Sequence, residues 1–160
     1  MKKALTMWLM ALMMCFSMGA TDFKTFENEI FKIGYPSDWE ETYVGDECLN
    51  VATEDGEIRF DVTYNDRGPM KSQIQEAADN WEYMKVSNGH KVDQKLVKDD
   101  YALVRSIETD EDDGTQQVVV WFLMMTKEPE CFSGSIQCPI ERANEAIDIL
   151  VEMLATLEQK

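Results

Sequence analysis

Histidine is nearly missing from this sequence, and with it most of the chemistry that depends on spacing. The single histidine, His90, follows Asn88-Gly89. An activated nucleophile needs a base beside it and a third group that orients the base. Nothing around His90 supplies either, so it reads as a solvated turn residue. No P-loop, Gly-rich dinucleotide turn, CxxC or His-x-x-x-His occurs. A zinc site would have to gather His90 and distant cysteines. No catalytic, cofactor-binding or metal-binding residue is assigned, no cofactor is expected, and the chain reads as no enzyme.

Basic residues are scarce as well. Fifteen Lys and Arg stand against 31 Asp and Glu, a formal net charge of −16. Nucleic-acid binding depends on Lys and Arg replacing condensed counterions, so nucleic acid is excluded as a partner. Anionic lipid is repelled for the same reason. Beyond residue 20 there is no low-complexity linker, no internal repeat, and no apolar run of the ~20 residues needed to cross a bilayer. Among so many acids, no carboxylate pair for glycoside cleavage can be singled out.

The most legible segment present is the first. Lys2 and Lys3 precede an uncharged, mostly apolar run from Ala4 to Phe16, and Ser17-Met18-Gly19-Ala20 follows. That order of basic, apolar and small residues is the one in a secretory signal peptide. Cleavage is expected after Gly19 or Ala20. Cys15 lacks the small residue expected just before a lipidated cysteine, so a soluble product is expected. Residues 1–20 are thus read as a leader and residues 21–160 as one α+β domain. Loss of the two lysines takes the charge to −18, since the leader holds no acid. The product is exported, periplasmic or secreted, with no membrane insertion after leader cleavage.

The element pattern follows. Phe31, Ile33 and Tyr35 alternate before Pro36, which predicts a half-buried strand. Residues 48–53 and 57–64 flank an Asp55-Gly56 hairpin signal. The second segment sets Ile58, Phe60, Val62 and Tyr64 on one face and Arg59, Asp61 and Thr63 on the other. Met70, Ile74, Ala77, Ala78, Trp81 and Met84 follow a helical period, ended by Ser87-Asn88-Gly89. Strands are then expected at 91–97, 101–109, 115–126 and 130–137. The third of these is apolar on both faces from Val118 to Met125, as in a central strand covered on both sides. Pro139 opens a last helix, where its missing N–H is no loss, with Ala143, Ala146, Ile147, Leu150, Leu154 and Leu157 inward. The sum is an α+β fold, a mostly antiparallel sheet flanked by helices.

Within the last strand, "CFSGSIQC" asks whether Cys131 and Cys138 can meet. As a strand they lie about 23 Å apart and point to opposite faces, whereas a disulfide needs Cα atoms ~4.4–6.8 Å apart. The alternative folds Ser133-Gly134-Ser135 into a tight turn closed by the sulfurs. The strand is favoured, because a turn precedes it and Phe132 and Ile136 share a face. Cys48 could then bridge to Cys131 or Cys138, or all three could stay reduced.

Two further features remain. Residues 109–115, "TDEDDGT", place acids before a glycine as calcium loops do, but the twelfth loop position would be Val120, which cannot ligate. Asp110 to Asp113 therefore read as a soluble hairpin tip with weak, nonspecific cation attraction. Glu40 and Glu41, like Asp46 and Glu47, read as solvated loops. Trp81 and Trp121 read as core, and Trp39 as core covering the sheet end.

The segment "FKIGYPSDWE", through Phe31, Ile33, Tyr35, Pro36 and Trp39, resembles the opening of PsbP-like domains. The two helices and the late meander extend the resemblance over about residues 26–158. It implies an α-β-α sandwich without a common catalytic residue. Some such proteins assist a photosystem and relatives bind a small GTPase, so function stays open. The expectation is an exported, noncatalytic binding or accessory domain with an envelope protein partner. The alternative is a carrier for a small apolar ligand, held between the sheet and the C-terminal helix.

Overall fold

A strand that is apolar on both faces needs a covering layer on each side. In the computed structural model, which describes residues 22–110 and 112–160, that strand runs Gln116–Lys127 and is covered on both sides. The expected leader lies outside the described residues. In chain order the elements are β1 Phe23–Glu27, β2 Phe31–Pro36, β3 Glu40–Val44, β4 Cys48–Ala52, β5 Arg59–Asn65 and helix α1 Ile74–Ser87. Then come β6 Lys91–Val97, β7 Tyr101–Thr109, β8 Gln116–Lys127, β9 Glu130–Pro139, helix α2 Ala143–Thr156 and β10 Glu158–Gln159.

Seven strands form one sheet in the order β3-β4-β5-β9-β8-β7-β6, and β1-β2-β10 form a second. Every pairing is antiparallel. The fold is α+β, as expected. On one face of the large sheet, α2 and strand β2 bury Phe60, Val62, Val120, Phe122, Phe132 and Ile136. Phe60 stacks on Phe122 at 5.9 Å, and Phe31 meets Phe132 edge-on at 5.4 Å, so aromatic rings fill this layer. On the other face α1 packs against β6 and β7, burying Ile74, Ala78, Ala102, Val104, Leu123 and Met125.

Three strands were not expected: β1, β3 and β10. Each is short and lies at a sheet edge, paired to one neighbour; β1 adds Phe23 and Phe26, which pack at the margin of the core three residues apart, out of step with a strand's period. Glu40 and Glu41 are accordingly solvated as expected but not loop residues: they lie in β3, an exposed strand bulged between Glu41 and Tyr43. The tyrosine hydroxyl of Tyr35 donates to Glu41 at 2.5 Å. β10 stops after two residues, and the Thr156 hydroxyl takes the Gly34 N–H at 2.7 Å, where a longer strand would have paired.

The helices also differ in detail. Met70 is 56% exposed, because α1 starts only at Ile74, after a 3-10 turn at Lys71–Gln73, and Met84, within α1, is 44% exposed. Pro139 ends β9, and a 3-10 turn at Ile140–Arg142 precedes α2. The buried stripe of α2 is Ala143, Ala146, Leu150 and Met153, not Leu154, which packs only at its margin. Trp39 is core, as expected.

Residues 131–138 are extended. Cys131 is buried under α1 and Cys138 under α2, the opposite faces that an odd spacing requires. Among the described residues Cys48, Cys131 and Cys138 are all free, so of the two alternatives left open the reduced one is found and no bridge from Cys48 forms. Strand β5 lies between β4 and β9, so Cys48 is two inter-strand spacings, about 10 Å, from β9. That exceeds the disulfide span.

Candidate functional site

α1 is one helix on a seven-stranded sheet; it packs on β6 and β7 and reaches Leu123 and Met125 of β8 and Cys131 at the start of β9. The middle of β5 and β9 on that face lines a cleft instead. Register fixes what lines it. On β5 the polar set Arg59, Asp61 and Thr63 faces the open side, and pairing sets Asp61 beside Ser135 and Thr63 beside Ser133 on β9. On β8, Trp121 lies beside Ser135 and Val119 beside Gln137. The alternation that buries Phe60 and Val62 under α2 thus delivers a polar surface opposite.

A cleft of about 380 Å³ opens there, between these strands and the edge of α1. Its aromatic wall is Trp81 from α1 stacked on Trp121 from β8, centroids 5.7 Å apart and planes 18° from parallel. The Lys85 ammonium caps the Trp81 ring at 4.8 Å, a cation–π contact. Lys85 also pairs with Glu108 at 2.5 Å. The Ser106 hydroxyl donates to the same carboxylate at 3.2 Å, and His90 Nε2 lies 3.9 Å from it. His90 is therefore half-buried against an ion pair rather than free in solvent.

The opposite wall is Asp61. Its carboxylate accepts the Ser135 hydroxyl at 2.6 Å, and no cation lies within ion-pair distance of it among the described residues. Arg59, its nearest basic neighbour along β5, is turned away and donates to the Gly56 carbonyl at 2.8 Å. Burial raises the Asp61 carboxyl above its ordinary range, only partly offset by the two hydrogen bonds from Ser135. Desolvation without a countercharge is unusual for a carboxylate on a sheet face.

The expected core tryptophans are thus only half core. Trp81 and Trp121 sit where α1 ends its coverage of the sheet, each half-buried. The acidic turn is occupied differently. Asp110 accepts the Asp112 N–H at 2.8 Å, and Asp113 accepts the Thr115 N–H at 2.8 Å and its hydroxyl at 2.7 Å. Those bonds from Thr115 hold the Asp113 carboxyl below the usual range. These carboxylates shape a turn. A second, larger cleft of about 840 Å³ lies at one end of the sheet, beside Asp55, Glu57 and Pro139. There Arg142 pairs with Asp55 and Glu57, each at 3.2 Å, and with Glu145 at 2.9 Å, so these three carboxylates already share a cation. Sequence reasoning assigned no role to Asp61, Ser133 or Ser135. The polar alternation of β5 was the available signal, but which strand lies beside it was not.

No family model and no curated protein matches the sequence. Solved structures do. PsbP (CyanoP) of Synechocystis superposes with a TM-score of 0.62 at 7% identity, covering 91% of this chain and 97% of that one. The Ran-binding protein Mog1p of Saccharomyces cerevisiae gives 0.59 at 15% identity over 87% and 96%. A protein of Bacteroides thetaiotaomicron gives 0.54 at 21% identity over 86% of this chain; this chain spans about half of that one, 48%. The chain has the PsbP-like fold that Mog1p shares.

Proposed function

We propose that this chain is an exported, noncatalytic binding or accessory domain that docks another envelope protein on the open half of its large sheet. The carrying observation is the polar, half-roofed face itself, set beside a layer that Phe31, Phe60, Phe122 and Phe132 fill. A filled layer under α2 favours a docking face over a carrier's cavity. A structural neighbour is named as a Ran-binding protein, which supports a protein partner at the level of fold. Export rests on the residues of the leader.

The test is affinity capture from the envelope of the native host, with the tagged chain and its Ser133→Arg variant side by side. A discrete protein held by the wild type and released from the variant is expected. Saturable turnover in a hydrolase screen, abolished by one point mutation, would overturn the reading.

A further inference from the structure

Resting on the docking role above, a more specific recognition chemistry can be read across three strands. Trp121, Ser135 and Asp61 lie in one row perpendicular to β8, β9 and β5. Strands are spaced ~4.8 Å apart, so the indole and the carboxylate rise from backbones about 10 Å apart. Between them stands only serine, a low floor, with Ser133 and Thr63 forming the next row.

We propose that this row is a slot for an arginine side chain presented by a partner protein. The guanidinium lies against the Trp121 indole and donates to the Asp61 carboxylate. Three observations converge on that occupant. Asp61 has no cation of its own among the described residues, whereas Glu108, the other carboxylate lining the cleft, is paired with Lys85. Trp121 is braced by its stack on Trp81, and Lys85, which lies over the Trp81 ring in the same cleft, has its charge neutralised by Glu108. The aromatic wall and Asp61 therefore line one cleft without a net positive charge between them. The whole chain carries −16, which draws a basic surface toward it. Arginine fits better than lysine, because its plane stacks on an aromatic ring while its fork addresses both carboxylate oxygens.

The experiment follows the indole N–H and backbone amide signals of the folded chain by NMR. It is titrated at constant ionic strength with acetyl-Gly-Gly-Arg-Gly-Gly-amide, with the lysine counterpart, and with spermine. Saturable shifts confined to Trp121, Trp81, Ser133 and Ser135 are expected with the arginine peptide. The lysine peptide should bind at least about threefold more weakly, since it lacks the stacked plane. Asp61→Asn should weaken the arginine peptide about tenfold. Ser135→Val, which raises the floor and removes the hydroxyl on Asp61, should do the same, while Asp113→Asn in the distant turn should change nothing. Shifts that never saturate, that survive Asp61→Asn and Ser135→Val, or that favour spermine over the peptide overturn the slot. An envelope protein still captured by the Asp61→Asn chain also overturns it, yet leaves the docking role standing.

Discussion

Asp61 carries a cost that its neighbours in the fold relieve only in part. Folding raises its carboxyl above the ordinary 3.8, with desolvation the largest cause. A group whose folded value is raised opposes folding when ionised. That penalty is complete above the folded value and vanishes below the unfolded one. Asp61→Asn is therefore expected to raise the urea midpoint at pH 7. The gain should fade as pH falls through the folded value of Asp61 toward 3.8. An unchanged midpoint difference between pH 7 and pH 3 would refute it. Gain of stability with loss of arginine binding is the pattern of a residue kept for recognition rather than for folding. The thiols give a second check at this scale. Burial pushes Cys138 up to about 11 and Cys131 up as well, while Cys48 is only half-buried. Alkylation of the native leaderless chain at pH 8 should label Cys48 alone, because the thiolate is the reactive form. Mass mapping before and after urea checks this.

At the scale of elements, β9 joins the two halves of the molecule. Gly134 sits at its middle, paired to Val62 on one side and Phe122 on the other. A Cβ there would lie 2.0 Å from the Asp61 carbonyl oxygen and 3.0 Å from the Phe122 ring. The strands would have to part, and Phe60 and Phe122 would lose their stack. Gly134→Ala is expected to cost at least ~3 kcal/mol, at the upper end of overpacking penalties. Because the clash falls on the backbone of Asp61, the slot should be lost with it. A thermal melt within about 2 °C of wild type, given that 1 kcal/mol shifts a domain of this size by ~4 °C, would show that the strands tolerate the methyl group. This scale also marks what was readable. β6 and β7 fall at their expected residues, because Asp99-Asp100 and Asp110–Gly114 punctuate them and β7 alternates cleanly. β3 and β10 were invisible because an edge strand needs only backbone partners, which leave no mark in side-chain period, and β1 because its two core contacts, Phe23 and Phe26, are three residues apart. The phase of α2 slipped from Met153 to Leu154 because both are apolar and only packing against β2 and β9 chooses between them.

For the whole molecule, acidity and the proposed export set the expectations. The protein taken from the envelope should begin at Ala20 or Thr21, as intact mass will show; a chain still carrying Met1 or its neighbours would refute cleavage. No helix among the described residues is long and apolar enough to cross a membrane. The sequence by itself determined the charge, the leader expectation, the two-sided burial of β8 and the extended state of residues 131–138. These follow from composition, from period and from the reach of a strand, which are local quantities. Only the tertiary structure decided that β9 lies between β5 and β8, and that order is what sets Asp61, Ser135 and Trp121 in one row. Strand order depends on contacts between residues far apart in the chain, and no spacing within one strand records which neighbour it will have. The same holds for the half-covered sheet: the sequence supplies one helix for that face, but only packing decides which strands it leaves bare.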